Sequence, residues 1–146
     1  MKILVTAKRV TDPDAKIRLN ANLSAIETEG LEFKVNPFCE NAIEAALTLL
    51  DEAGGGEVVV VSIGPDEATQ YIRTALAMGG HRGIRVEYED EQLDSDLTAR
   101  ILAAVFKKEA ADLFILGKQA IDGDTGQVTQ LVAEYLGLPH GSFASK

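Results

Sequence analysis

The chain alternates between short runs of β-branched apolar residues and longer segments in which apolar residues recur at helical spacing. The runs cover residues 2–7, 57–63, 83–88 and 113–116. Strands of such continuous apolar character are usually buried on both faces, and strands that alternate with helices usually pair in parallel through crossover connections. The pattern therefore predicts a parallel sheet covered by helices.

Four segments have the apolar spacing of helices. The first begins at Pro37, a residue favoured at the first helical position, and ends before Gly54-Gly55-Gly56. The second is predicted to start within Gly64-Pro65-Asp66-Glu67, where a proline and two acids suit a first turn. The third spans residues 94–108, and the fourth lies within residues 122–136.

The remaining segments connect these elements. Residues 11–29 are polar and irregular, residues 31–35 are predicted to be extended, and residues 141–144 resemble the start of another strand. There is no linker, low-complexity segment or strong repeat. Residues 1–146 are therefore predicted to form a single α/β domain, a doubly wound, mainly parallel sheet with helices on both faces in a three-layer α/β/α arrangement.

Composition agrees with a soluble globular protein, since 46% of residues are hydrophobic and 25% are charged. Cys39 is the single cysteine, so an internal disulfide is excluded and a reducing compartment is expected. No apolar run is long enough for a signal peptide or a membrane span. These features predict a cytoplasmic protein that does not insert into membranes.

The formal net charge is −9, which argues against nonspecific binding to nucleic acid, because such binding depends on basic patches. A small anionic ligand is still compatible with this charge. It would require a local electropositive cradle made of helix N-termini and a few lysines.

Ligands of open parallel sheets lie beyond the C-terminal ends of the strands. Three segments qualify here: Thr6-Ala7-Lys8, Ser62-Ile63-Gly64-Pro65 and the loop of residues 117–127. The loop is the most informative, because its glycines allow close backbone approach and the helix start near Gly126-Gln127 offers N–H groups to a phosphate. An ordinary strand-to-helix loop, with Asp124 or Thr125 as the helix N-cap, explains the same residues equally well.

Catalytic and metal-binding patterns are not evident. His81 and His140 lack companions at metal-ligand spacing, and Cys39 is more typical of a small buried hydrophobic residue than of a nucleophile. Asp122 and Asp124 could indicate Mg²⁺, although helix capping and loop structure explain them as well. The sequence therefore predicts no catalytic residues and no metal site.

Six segments carry a specific resemblance, in order and over almost the whole chain. They are Val5-Thr6-Ala7-Lys8-Arg9-Val10 with Asp12; Asn36-Pro37-Phe38-Cys39-Glu40; Val61-Ser62-Ile63-Gly64-Pro65; Arg73-Thr74-Ala75-Leu76-Ala77-Met78-Gly79; Leu116-Gly117-Lys118-Gln119-Ala120-Ile121-Asp122; and Phe143-Ala144-Ser145-Lys146. Together they resemble the N-terminal portion of electron-transfer flavoprotein β subunits. The resemblance implies a Rossmann-like fold of the adenine-nucleotide-binding type.

The resemblance also implies a function in electron transport. The β subunit of that family forms a heterodimer with an α subunit that holds most of the redox-active FAD, and it binds a structural AMP. Electrons reach this flavoprotein from flavin dehydrogenases such as acyl-CoA dehydrogenases and pass to the respiratory chain. Phe38 would approach the flavin. The implied nucleotide-site residues are Thr6, Asn36, Pro37, Phe38, Cys39, Ile63, Gly117, Lys118, Gln119, Ala120, Ile121, Asp122, Gly123, Asp124, Thr125, Gly126, Gln127 and Val128.

The chain departs from the family in three places. Pro13 stands where the family usually has an aromatic residue that contacts the flavin. The segment Asp122-Gly123-Asp124-Thr125, followed by Gln127-Val128, resembles the electron-bifurcating branch, in which a second FAD replaces AMP. The family also continues beyond the position of Lys146, where its dehydrogenase-recognition loop and C-terminal arm lie, so the chain is expected to lack both.

Two other classes of protein fit the sequence less well. A freestanding adenine-nucleotide-binding signalling module should have a more complete glycine-rich phosphate loop before its last helix. An adenylating enzyme should have a Ser/Gly loop directly after its first strand, and Lys8-Arg9-Val10-Thr11 does not provide one. The sequence thus favours an electron-carrier subunit. Three of its segments resemble the AMP-holding branch and one resembles the bifurcating branch, which favours AMP.

Overall fold

A computed structural model describes residues 1–27 and 29–145. Thr28, in the segment predicted to be irregular, and Lys146, in the last resembling segment, lie outside the described residues. The strands are β1 (Lys2–Thr6), β2 (Arg9–Thr11), β3 (Phe33–Val35), β4 (Glu57–Gly64), β5 (Arg82–Glu87) and β6 (Leu113–Ile115). The helices are α1 (Pro37–Glu52), α2 (Ala68–Ala77), α3 (Ser95–Glu109) and α4 (Val128–Leu136), with a 3₁₀ turn over Asp90–Gln92.

The main sheet is parallel throughout and has the strand order β5-β4-β1-β6. β1 is one of the two interior strands, and its Val5 lies between Val60 of β4 and Ile115 of β6. The strand order reverses beside β1, because β4 and β5 extend the sheet on one side and β6 extends it on the other. The predicted doubly wound sheet is confirmed.

The core lies on both faces of this sheet. On one face Ile3, Val5, Val58 and Val60 pack with buried residues of α1 and α2. On the other face Leu4, Val59 and Val61 pack with buried residues of α3 and α4. Alternate residues of a strand point to opposite faces, so continuous apolar runs in β1 and β4 cover both, as predicted.

A second, two-stranded antiparallel sheet joins β1 to α1. It pairs Arg9–Thr11 with Phe33–Val35, and the Arg9 guanidinium lies 4.7 Å from the centroid of the Phe33 ring. Between these strands the described residues 12–27 and 29–32 form an arm, in which an antiparallel bridge pairs Leu19 with Ile26. The sequence predicted the extended piece before α1 but not its partner β2.

Two predictions about secondary structure were wrong, and so was the N-cap in the alternative explanation of the loop of residues 117–127. The second helix begins at Ala68, because Pro65, Asp66 and Glu67 form a bend and turn that precede it. Neither Asp124 nor Thr125 is the N-cap of α4, since that position is Gln127. Residues 141–144 form no strand, since Ser142 and Phe143 are bends, Gly141 and Ala144 have no regular structure, and all four residues are exposed.

An ion-pair cluster closes the N-terminal edge of the sheet. Arg82 donates to Glu57 at 3.0 Å and also pairs with Glu109, while Lys2 Nζ lies 3.7 Å and 3.9 Å from the same two carboxylates. The hydrogen bonds from Arg82 lower the pKa of both Glu57 and Glu109, more than partial burial raises it. The cluster therefore ties β4, β5 and the end of α3 together, at the opposite edge from the cleft described next.

Candidate functional site

A cleft of about 1120 Å³ lies at the C-terminal ends of the strands, beside the point where the strand order reverses. After β1 the chain crosses to α1 on one face of the sheet, and after β6 it crosses to α4 on the other. The two connections leave a crevice between them. This is the position at which doubly wound sheets bind ligands.

The loop that follows β6 is docked on the first turn of α1. Asn36, which precedes that helix, is 1% exposed, and its side-chain amide donates to the Gln119 carbonyl at 2.8 Å and accepts from the Ile121 N–H at 3.2 Å. A Cβ placed on Gly117 would lie 2.7 Å from the Phe38 carbonyl carbon. Only glycine permits this backbone approach, so the loop and the helix start form one unit.

The second half of the loop curls towards α4. The Asp124 N–H donates to the Ala120 carbonyl at 2.9 Å, and the Asp124 carboxylate accepts from the Gln119 side chain. Asp124 and Gly126 have φ values of 53° and 60°, which turn the backbone back before the helix. Gln127 makes no capping side-chain hydrogen bond, so among the described residues the first N–H groups of α4 lie at the cleft without a side-chain cap.

The opposite wall is the start of α3, whose N-terminus is already occupied. The Asp94 carboxylate accepts from the Leu97 N–H at 2.7 Å, as an N-cap should. The Ser95 hydroxyl lies 3.4 Å from the hydroxyl of Thr125, which links this wall to the loop. The two helix starts therefore differ, since the Asp94 carboxylate caps α3 and no carboxylate caps α4 at Gln127.

Carboxylates outnumber cations around the cleft. The lining cations are Lys8, Arg9 and Lys118, and the lining carboxylates are Glu67, Glu89, Asp90, Glu91, Asp94, Asp122 and Asp124. Lys8 and Arg9 are each paired with one of these acids. An anionic ligand would therefore be held by backbone N–H groups at the α4 start rather than by a net positive field.

The predicted site residues are brought together, and all of them border the cleft except Pro37, Phe38 and Ile121. Pro37 begins α1, the Ile121 N–H binds Asn36, and the backbone of Phe38 packs on Gly117. The Phe38 ring lies outside the cleft, with Lys118 Nζ 4.9 Å from its centroid. Its predicted contact with a flavin stays a prediction.

Sequence reasoning missed several lining residues, among them Arg9, Asp90 and Ser95. Arg9 pairs with Asp90 across 81 positions of sequence, a relationship that no local pattern contains. The place of Ser95 at the cleft could have been predicted, because this residue directly follows the Asp94 cap of α3, on the C-terminal side of β5.

Neither a metal cluster nor a membrane-spanning helix was found in the part of the chain that the structure describes. Within residues 1–27 and 29–145, no three His, Cys, Asp or Glu side chains are grouped so that they could hold a metal ion. No helix in these ranges is both long and apolar enough to cross a bilayer. The cytoplasmic location stays a prediction.

The fold and the cleft define a class of protein, the doubly wound α/β domains with a ligand crevice beside the central strand. Within that class, the profile of the Electron transfer flavoprotein domain matches residues 24–146. The chain belongs to this family.

Curated relatives carry the same family name. The chain is 45% identical over its whole length to the "Electron transfer flavoprotein subunit beta" of Homo sapiens and 46% identical to that of Bradyrhizobium diazoefficiens. It is 45% identical to the "Electron transfer flavoprotein subunit beta, mitochondrial" of Arabidopsis thaliana. In each case the chain spans 58% of the relative's length. The resemblance predicted from the six segments is confirmed.

Proposed function

We propose that this chain is the nucleotide-holding part of an electron-transfer flavoprotein β subunit. In this proposal it packs beside an α subunit and helps to hold that subunit's FAD, while electrons pass from dehydrogenases such as acyl-CoA dehydrogenases to the respiratory chain. The names of its relatives support the assignment to a β subunit. The cleft between the β1 and β6 connections supports the binding of a nucleotide.

The ligand proposed for the cleft is AMP. The observation that carries this proposal is the uncapped start of α4, preceded by Gly126 at a φ of 60°, directly at the mouth of the crevice. Successive N–H groups at such a helix start bind phosphate well, and glycine lets the phosphate come close. A cleft of about 1120 Å³ has ample room for a mononucleotide.

A second FAD in place of AMP is the alternative. It is favoured by the segment Asp122-Gly123-Asp124-Thr125, which resembles the bifurcating branch, and the open cleft does not limit the ligand to one nucleotide. We favour AMP because the segments around Asn36, Arg73 and Phe143 resemble the AMP-holding branch.

The proposal gives the chain no turnover of its own. Among the described cleft residues, the Thr6 hydroxyl lies against the Cys39 sulfur and the Ser62 hydroxyl donates to the Ala7 carbonyl, so neither hydroxyl is bonded to a general base. Its contribution would be geometric, in that it holds the nucleotide and sets the distance between cofactor and partner surfaces. ATP hydrolysis or dye reduction by the purified chain without α subunit and flavin would contradict this.

The decisive experiment counts nucleotides. The chain is co-expressed with the α subunit of its source, the complex is purified and denatured, and the released nucleotides are separated and identified by mass. One FAD and one AMP per complex is the expected result. Two FAD and no AMP would replace the proposal with the bifurcating alternative, and failure to form a complex would contradict the heterodimer.

A further inference from the structure

We propose that Asn36 is a positioning residue, which shapes the nucleotide loop without binding the nucleotide itself. This inference rests on the proposed function and concerns the same cleft. It follows from how completely the side chain of Asn36 is used inside the protein.

The carboxamide of Asn36 has two donor hydrogens and one acceptor oxygen. The donors are directed to the Gln119 carbonyl at 2.8 Å and to the Cys39 sulfur at 3.4 Å, and the oxygen accepts from the Ile121 N–H at 3.2 Å. The residue is 1% exposed. No hydrogen of this side chain is left for a phosphate or an adenine ring.

The bonds to residues 119 and 121 reproduce the pairing of a β-strand. One peptide-like group donates to a carbonyl and accepts from the N–H two residues later, as a neighbouring strand would. None of the strands that the structure describes pairs with the loop at this point, so the Asn36 side chain takes the place of one. Aspartate at this position would supply acceptors only and would set a carboxylate against the Gln119 carbonyl.

The backbone of Asn36 makes two further hydrogen bonds, to the segment after β1 and to the first turn of α1. Its N–H donates to the Lys8 carbonyl at 2.9 Å, and its carbonyl accepts from the Cys39 N–H at 2.8 Å. One residue therefore connects the segment after β1, the first turn of α1 and the loop after β6. Those three segments form the crevice, and the Asp124 N–H bond to Ala120 follows directly from the part of the loop that Asn36 fixes.

The test compares Asn36→Ala and Asn36→Asp with the unchanged chain by calorimetry with AMP and by amide hydrogen exchange. Both variants should bind AMP at least about tenfold more weakly, as expected for the loss of one or two hydrogen bonds. In the AMP-free protein, exchange at Ile121 and Asp124 should become faster. Arg82→Gln, which disturbs the ion cluster at the opposite edge of the sheet, is the control and should leave both the affinity and the exchange at Ile121 unchanged.

AMP affinity and hydrogen exchange at Ile121 together distinguish a positioning residue from a ligand contact. Weaker AMP binding with unchanged exchange at Ile121 in the free protein would make Asn36 a ligand contact and overturn the inference, as would unchanged affinity. If neither variant folds, amide exchange at Ile121 in the unchanged, AMP-free chain tests the inference. Rapid exchange would show that Asn36 does not fix the loop, and slow exchange would support the positioning role of Asn36. An unchanged chain that binds no AMP would contradict the proposed function instead.

Discussion

The Lys8 ammonium lies 2.7 Å and 2.8 Å from the two carboxylate oxygens of Asp122. This ion pair joins the segment after β1 to the loop after β6, across the mouth of the crevice. The side chains are 49% and 33% exposed, so the pair should contribute less than about 1 kcal/mol to stability. Its larger effect should be on an anionic ligand, because Asp122 competes with a phosphate for Lys8.

Asp122→Asn should therefore raise the affinity for AMP about threefold, and Lys8→Met should lower it by a similar factor, which corresponds to the usual strength of exposed charge pairs. Titration calorimetry at about 0.1 M and about 1 M salt checks the cause, because screening at the higher salt should bring the variants together. Equal weakening by both substitutions would show that the pair is a structural tie and not a competitor of the phosphate.

Gly117→Ala should disrupt the docking of the loop on α1. The new methyl group would meet the Phe38 carbonyl carbon at 2.7 Å and the Cys39 nitrogen at 2.9 Å, and neither backbone atom can move freely. We expect a loss of about 1–3 kcal/mol in the free energy of unfolding, with loss of AMP binding. Denaturant melts and calorimetry measure both.

Gly123→Ala is the matched control in the same loop. A Cβ at Gly123 has no atom within 4 Å, and its φ lies outside the left-handed region. The variant should keep AMP binding and gain up to about 1 kcal/mol from the reduced freedom of the unfolded chain. If both alanine variants lose AMP equally, the close approach at Gly117 is not the cause.

Acid should weaken the Arg82 cluster. The pKa values of Glu57 and Glu109 are lowered from 4.5 in the folded protein, chiefly by hydrogen bonds from Arg82. Groups with lowered pKa stabilise the folded state above their unfolded pKa, and this stabilisation is lost as the pH falls through the folded value. The free energy of unfolding should thus decline below about pH 4.5.

Arg82→Gln should remove much of that decline and cost on the order of 1 kcal/mol at neutral pH. Arg73→Gln, at an exposed position of α2, removes the same charge away from the cluster and should keep the unchanged chain's pH profile. Thermal melts between pH 3 and pH 7 compare the three proteins. A profile that Arg82→Gln leaves unaltered would mean that other carboxylates control acid stability.

The isolated chain should self-associate through its arm. Ile17, Leu19, Leu23 and Ile26 are exposed there, with Leu23 74% exposed at a φ of 56°. Leu23→Asn places a residue that tolerates this φ and removes apolar surface, so it should reduce association without loss of stability. Light scattering measures the mass, with Leu138→Asn after α4 as a control at another exposed leucine. A monomeric unchanged chain at high concentration would contradict the prediction.

The sequence identified the sheet because β1 and β4 are buried on both faces, and such strands leave an unbroken apolar signal. It located α1 well because Pro37 marks its start and three glycines follow its end. It failed at α2, where a proline and two acids that suit a first helical turn instead form the turn before Ala68. Local preference could not separate these two structures, since both use the same residues.

The sequence predicted the loop of the candidate site but not the residues that line the cleft opposite the loop. Residues 117–127 show their role through glycine and helix-start signals, whereas Arg9 reaches Asp90 only through the folded topology. The amide of Asn36 is a similar case. Its partners lie 83 and 85 positions away, so its function as a substitute strand appears only in three dimensions.

Because β1 pairs on both sides, its two neighbouring strands become available at different times during synthesis. Val5 finds its partner Val60 early, but its second partner Ile115 is synthesised much later. Chains emerge N-terminus first, so three of the four strands can pair while one edge of β1 still has unpaired backbone groups. The crevice needs the loop after β6, so its lining can be complete only after that loop has been synthesised.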